Sequence, residues 1–114
     1  MARKYDLEER TLKFAKDIIQ FCKKLPRNII NDELIRQLNK AAGSVGANYI
    51  ETNESLSKKD FYHRIRICRK EAKESRYWLK LIVSSDSKFE KDTEPYIQES
   101  LELTRIFGSI IEKE

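Results

Sequence analysis

An all-α fold is what this sequence predicts: an up-down-up-down bundle of four amphipathic helices, one domain over residues 1–114. Three observations lead there. Glycine and proline are scarce, three and two in 114 residues, so the punctuation that breaks a chain into strands and turns is missing. Apolar side chains recur at three- and four-residue spacing in four separate runs, which is the pitch of a helix. Between the runs lie short polar links that carry capping residues. Charged residues make up 37%, but Leu, Ile and the aromatics are spread evenly among them, which argues against disorder. The length is enough for one modest core.

The first helix is expected after Asp6, with Glu9 three residues on as a capping-box signature. Leu7, Thr11, Phe14, Ile18, Cys22 and Leu25 form its stripe, and Leu12, Ile19 and Phe21 widen the apolar face. Pro26 closes it, because the residue before a proline is pushed out of the helical region. After the link Pro26–Asn31, Asn31 or Asp32 is expected to cap the second helix. Its stripe is Leu34, Leu38, Ala41, Val45 and Asn48, with Ile35, Ala42 and Tyr49 alongside. Small residues at Ala41, Ala42 and Ser44 let a neighbouring backbone come close. Gly43 and Gly46 each cost about 1 kcal/mol against alanine in a helix interior. That double cost points to backbone crowding there or else a bend, of which crowding is the preferred reading.

Ser57-Lys58-Lys59-Asp60 reads as a second capping box and opens the third helix. Phe61, Ile65, Cys68, Ala72, Ser75, Leu79 and Ile82 then alternate at four and three residues without interruption, the seam of a bundle or coiled coil. Tyr62, Tyr77, Trp78 and Leu81 flank it. The stretch Ser84–Lys88 breaks the period and reads as a loop. Thr93 or Glu94 is expected to cap the last helix, with Pro95 in its first turn. Its stripe would be Ile97, Leu101, Thr104, Gly108 and Ile111. Tyr96, Leu103, Ile106, Phe107 and Ile110 then form surplus apolar surface, more than one face of a four-helix bundle needs. Those five are therefore the expected contact surface of a homo-oligomer.

Little in the chain supports catalysis or a cofactor. Cys22 and Cys68 stand alone in apolar surroundings, as reduced core thiols of a cytosolic protein do. With His63, the only histidine, they lack zinc-site spacing, so no metal ligand set is expected. There is no phosphate-cradling glycine loop. Glu8, Glu9, Glu51, Glu54, Glu71 and Glu74 lack the Glu-x-x-His partners of a di-iron bundle and read as a solvated face. The N-terminus has no signal-peptide core and no run is long enough to cross a bilayer, so a cytoplasmic, non-enzymatic protein without cofactors and away from membranes is expected.

Charge placement stands above that background. From Ser57 to Lys80 nine basic residues oppose three acids, a net of +6, whereas Asp86 to Glu114 holds four bases and eight acids, a net of −4. Arg66, Arg69, Lys73, Arg76 and Lys80 fall at three- and four-residue spacing on one side of the third helix. With Lys59 and Lys70 they are the candidate nucleic-acid-binding residues, since Lys and Arg along a helix form the electrostatic footprint of such binding. The plainer reading is that this stripe pairs with acids of the last helix.

Several of these residues are also familiar as a set. Gln37-Leu38, Ala41-Ala42, Ser44-Val45, Asn48, Glu51, Ser57 to Phe61, Glu71-Ala72, Ser75 and Trp78-Leu79, with Asp6-Leu7, Phe14-Ala15 and Leu25-Pro26 before them, resemble the bacterial four-helix-bundle proteins encoded within intervening sequences of 23S ribosomal RNA genes. Thr52 departs from the pattern, because many relatives carry glycine after the acid that ends the second helix. The resemblance implies a left-handed bundle that assembles as a homopentamer. It also implies kinship to the accessory variability protein of diversity-generating retroelements, which binds nucleic acid and a reverse transcriptase through a basic surface. It supplies no catalytic residues. The expected function is a non-enzymatic oligomeric scaffold binding RNA or DNA, structured RNA first, with a nucleic-acid enzyme as a further candidate partner. The alternative is a protein–protein adaptor whose charges serve assembly alone.

Overall fold

Helix α1 (Leu7–Cys22) begins directly after Asp6, although the Asp6 side chain does not cap its first turn. A computed structural model describes residues 6–114, in which three further helices, α2 (Ile29–Glu51), α3 (Lys58–Ser85) and α4 (Glu90–Ile111), follow in order, with no strand among the described residues. α1 winds down through tighter turns, Lys24 N–H to Phe21 O at 3.0 Å and Leu25 N–H to Cys22 O at 3.1 Å. Leu25 thereby still reaches the core ahead of Pro26.

α2 starts earlier than the sequence suggests. Its cap is Asn28, in extended conformation, whose side chain accepts the Asn31 N–H at 2.8 Å. Asn31 lies inside the first turn and its side-chain Nδ2 donates to Pro26 O at 2.7 Å. The start is hard to see because Ile29 and Ile30 are exposed, so no buried periodicity marks it. At the far end, Thr52 opens a short 3-10 turn, Thr52–Glu54, with an ordinary right-handed φ of −62°. Its hydroxyl donates to Tyr49 O at 2.6 Å, so this link needs no glycine. Ser57 caps α3 as expected, accepting the Asp60 N–H at 3.1 Å, and the Asp60 carboxylate reaches back to the Leu56 N–H at 3.2 Å.

The link between α3 and α4 is shorter than expected. α3 continues to Ser85, Asp86 caps a 3-10 turn over Ser87–Phe89, and α4 starts at Glu90. Thr93 is thus buried within α4 rather than capping it, and Pro95 sits inside the helix beyond its first turn. Proline there removes one N–H from the ladder.

One core takes side chains from all four helices. Phe14, Ile18 and Phe21 of α1 meet Leu38, Ala42 and Val45 of α2, Ile65, Cys68, Ala72, Leu79 and Ile82 of α3, and Leu103 and Phe107 of α4. At one end Phe21 packs edge-on against Phe89, centroids 6.1 Å apart, and against Tyr96 at 5.7 Å. The α3 seam is the expected one from Ile65 to Ile82. The α4 seam is not: Thr93, Ser100, Leu103, Ile106 and Phe107 are buried, while Ile97, Leu101, Thr104, Gly108 and Ile111 lie at its margins. Two of its seam residues are hydroxyls satisfied by their own helix, Thr93 to Glu90 O at 2.9 Å and Ser100 to Ile97 O at 2.7 Å. A hydroxyl bonded one turn back can be buried at little penalty, which disguises the seam as polar.

That shift corrects the expected subunit surface. Leu103, Ile106 and Phe107 are buried within the chain, and Tyr96 and Ile110 pack half-buried on the same core. Leu103, Ile106 and Phe107 are therefore not left over for a neighbour, while Tyr96 and Ile110 keep part of their surface exposed. The two glycines of α2 also separate. A Cβ on Gly46 would stand 2.9 Å from Thr11 Oγ1, so α1 and α2 do crowd there, whereas nothing lies within 4 Å of the corresponding point on Gly43.

Candidate nucleic-acid interface

α3 is 28 residues long, about 42 Å at 1.5 Å per residue, and runs nearly the full 44 Å length of the molecule. Its seam residues turn inward, which obliges the cationic stripe beside them to turn toward solvent and toward the edge of α4. Lys59, Arg66, Lys70, Lys73 and Lys80 are exposed, and Arg69 and Arg76 are half-buried against α4. Arg76 donates to Thr104 Oγ1 at 3.4 Å. The Arg69 guanidinium lies over Gly108, with Nη1 4.0 Å from where a Cβ would be. Arg66, Arg69, Lys70 and Lys73, with Glu74, line one shallow depression of about 220 Å³. The structure thus brings four of the seven candidates together, with Lys59 and Lys80 toward the two ends of the helix.

Pairing with α4 is slight. Among the described residues a single ion pair crosses from this stripe toward α4, Arg66 with Glu114 just past the helix end. Lys70 stands 4.0 Å from Glu74 of its own helix, and no acid lies within 4 Å of Lys59, Lys73 or Lys80 among the described residues. Two acids of α4, Glu99 and Glu102, are engaged elsewhere. Arg10 of α1 donates to both oxygens of Glu99, at 2.6 and 2.9 Å, and to Glu102 at 2.8 Å. These bonds, Glu99 first, raise the Arg10 pKa still further, so the guanidinium is permanently charged. The Gln98 amide and then Arg10 hold the Glu102 carboxyl below its ordinary range.

Between α2 and α3 a second, polar groove of about 180 Å³ adjoins the depression, lined by Gln37, Lys40, Ala41, Ser44, Lys70, Glu71 and Glu74. The sequence reading placed Glu71 and Glu74 on a solvated face, and Gln37, Lys40 and Ser44 were not singled out as site residues. Glu71 is instead half-buried, and burial, with Glu74 next, pushes its carboxyl upward. Glu71 and Glu74 face Gln37, Lys40 and Ser44 of α2 across this groove, a juxtaposition that spacing within α3 does not reveal.

An apolar strip occupies the opposite side of the chain. Leu12 is 54% exposed, and Ile19 and Ile50 are each 46% exposed. A groove of about 210 Å³ beside Leu12 and Ile50 is floored by Ala15, Gly43, Gly46 and Ala47. Leu12 and Ile50 share this groove, whereas Ile19 lines a separate one with Cys22, Leu25 and Ile35. Clustered exposed apolar side chains mark an interaction site more often than scattered single ones do. Elsewhere the chemistry is quiet. Burial pushes the Cys22 thiol up to about 11 and the Cys68 thiol up to about 12, which leaves both protonated and inert at neutral pH. His63 is exposed. Among the described residues no three His, Cys, Asp or Glu stand close enough to hold a metal ion, and no helix is long and apolar enough to cross a membrane.

The model of a family described as 23S rRNA-intervening sequence protein matches residues 3–109. The chain is also similar to a crystal structure of a protein of unknown function from the S23 ribosomal protein family of Bacteroides thetaiotaomicron VPI-5482. The two are 27% identical and superpose with a TM-score of 0.81 over 91% of this chain and 96% of that one. No curated protein matches.

Proposed function

The chain belongs to the 23S rRNA-intervening sequence protein family, and on that footing we propose that it is a non-enzymatic, cytoplasmic scaffold that binds structured RNA through the phosphate backbone. The observation that carries this reading is the cluster of Arg66, Arg69, Lys70 and Lys73 around one depression, left largely without acidic partners because Glu99 and Glu102 of α4 are held by Arg10. A stripe serving only to pair with α4 would have those acids opposite it. Clustered cations whose counter-charges are solvent ions gain free energy by releasing those ions to a phosphate chain.

The scaffold is an up-down-up-down, left-handed bundle that assembles as a symmetric homo-oligomer, the pentamer that the resemblance implies. The apolar strip of Leu12, Ile19 and Ile50, not α4, is the surface that a second copy covers. A closed ring repeats the basic depression once per subunit, so individually weak contacts act together.

The test is fluorescence anisotropy with a structured RNA from low to moderate salt. Arg66→Glu with Arg69→Glu and Lys73→Glu should lower affinity at least about tenfold, alike for all sequences, and reduce the salt slope by about three. Absence of binding at low salt, or a triple variant that binds normally, sinks the reading. Leu12→Lys with Ile19→Lys should reduce the particle to a smaller species in light scattering while leaving the helical signal intact.

A further inference from the structure

The polar groove between α2 and α3 has more order than a solvated face needs. Asn48 Nδ2 donates to Ser44 Oγ at 2.9 Å, and Arg64 Nη1 donates to Asn48 Oδ1 at 3.2 Å. Ser44 Oγ is therefore committed as an acceptor within the protein, and its own proton remains to donate. Gln37 gives its amide nitrogen to Glu33 at 2.9 Å, which leaves its carbonyl oxygen as an acceptor. Glu71, half-buried, accepts no hydrogen bond on its carboxylate and has no cation within 4 Å among the described residues. Lys40 from α2 and Lys70 and Glu74 from α3 are the charged groups around it. The Glu71 oxygens are not sealed from solvent, since Ser55 Oγ is the only buried side-chain oxygen or nitrogen without a partner among the described residues, so both can accept from a molecule that enters the groove.

At about 180 Å³ the groove is smaller than the ~300–1,000 Å³ of a pocket that encloses a whole drug-sized ligand, so it fits part of a larger molecule. Lys70 and Glu74 line both this groove and the basic depression, so a chain whose phosphates lie on Arg66, Arg69 and Lys73 passes its mouth. Single-stranded RNA presents unstacked bases by their Watson–Crick edges.

We infer that this groove receives one unpaired guanine of a bound RNA, with the Glu71 carboxylate accepting its N1–H and N2–H and a donor from Lys40, Lys70 or Ser44 meeting O6. Guanine alone among the four bases offers two adjacent donors followed by an acceptor on that edge. Adenine and cytosine each bring a ring nitrogen acceptor against the carboxylate, and uracil brings one donor between two carbonyls. The inference deepens the RNA-binding reading above and rests on it.

The test compares four short oligouridylates that carry a single central guanosine, inosine, adenosine or cytidine, against the full chain and Glu71→Gln, by anisotropy at low salt. The wild type should bind the guanosine strand about tenfold more tightly than the adenosine and cytidine strands, with inosine, which lacks the N2 amino group, between them. Glu71→Gln should lose that preference and bind the adenosine and cytidine strands within about twofold of wild type. Ser75 Oγ bonds to the Glu71 backbone carbonyl, at 2.8 Å, which glutamine retains, so the helix is preserved. Equal binding of all four strands, or a preference that survives Glu71→Gln, overturns the guanine pocket and leaves the phosphate surface standing. Failure of all four strands while the structured RNA of the preceding test still binds overturns the guanine pocket alone, and failure of that RNA as well overturns the RNA-binding reading and this one with it.

Discussion

α1 and α3 share the core but stand diagonally across it without close backbone approach, and each lies against α2 and α4. Their inner faces are alike. Phe14, Ile18 and Phe21 on one, and Ile65, Cys68, Leu79 and Ile82 on the other, are all buried. Their outer faces are opposite. α1 carries exposed Leu12 and Ile19, and three of its charges are paired, Arg10 with Glu99 and Glu102 and Lys13 with Asp17. α3 carries cations with few partners. The difference comes from helical phase on α4, not from composition. Glu99 and Glu102 share one side of that helix. Thr104 lies about 200° around the axis from Glu102 at 100° per residue, and Gly108 only about 40° from Thr104. So the side of α4 that meets α1 is acidic, and the side that meets Arg69 and Arg76 is small and neutral. Opposite net charges on two neighbouring segments do not pair unless their phases agree.

If the inner faces are equivalent, truncating either should destabilise by similar amounts. Phe14→Ala should lower unfolding free energy by about 3–5 kcal/mol and Leu79→Ala by about 2–5 kcal/mol in urea denaturation, since both side chains are fully enclosed. A loss below about 1 kcal/mol for either would break the symmetry of the comparison.

The α3 half of that symmetry was legible from residue letters alone, because every seam position except half-buried Phe61 is a buried residue at uninterrupted heptad spacing. The α4 half was not. Thr93 and Ser100 are buried letters that look exposed, so the periodicity was read one face away, and core side chains were mistaken for an interface. The basic stripe was legible as a stripe, and its lack of partners was not, because partner choice depends on which way α4 is rotated. Glu71 was missed for a related reason. Its burial arises from Lys40 and Ser44 on another helix, and sequence spacing within α3 carries no trace of them.

The α1 side can be probed at its closest approach. Thr11 is buried and its hydroxyl is bound to Leu7 O at 2.7 Å, so it cannot turn away from a Cβ placed 2.9 Å off on Gly46. Gly46→Ala should therefore cost about 1–2 kcal/mol even after the gain in helix propensity. Gly43→Ala, three residues away and facing open space, should instead stabilise by up to about 1 kcal/mol at low protein concentration. Two alanines of the same sign in thermal melts would mean that α1 does not press on α2 at Gly46.

The smallest effect tests the charges themselves. Arg10→Met should cost about 1 kcal/mol at neutral pH, because it strands Glu99 and Glu102 side by side on α4. Lys73→Met on α3, where no acid lies within 4 Å among the described residues, should cost nothing measurable. Acid supplies the sign. Glu102 has a folded pKa below its ordinary value, so its contribution is present above the unfolded value and is lost as pH falls through the folded one. The gap in melting temperature between wild type and Arg10→Met should accordingly narrow on going from neutral pH into the acid range, as protonation frees Glu102 from Arg10 in the wild type as well. A gap that holds constant through that range would mean that Arg10 stabilises α1 by the packing of its stem rather than by charge, and the contrast between a paired α1 and an unpaired α3 would lose its electrostatic basis.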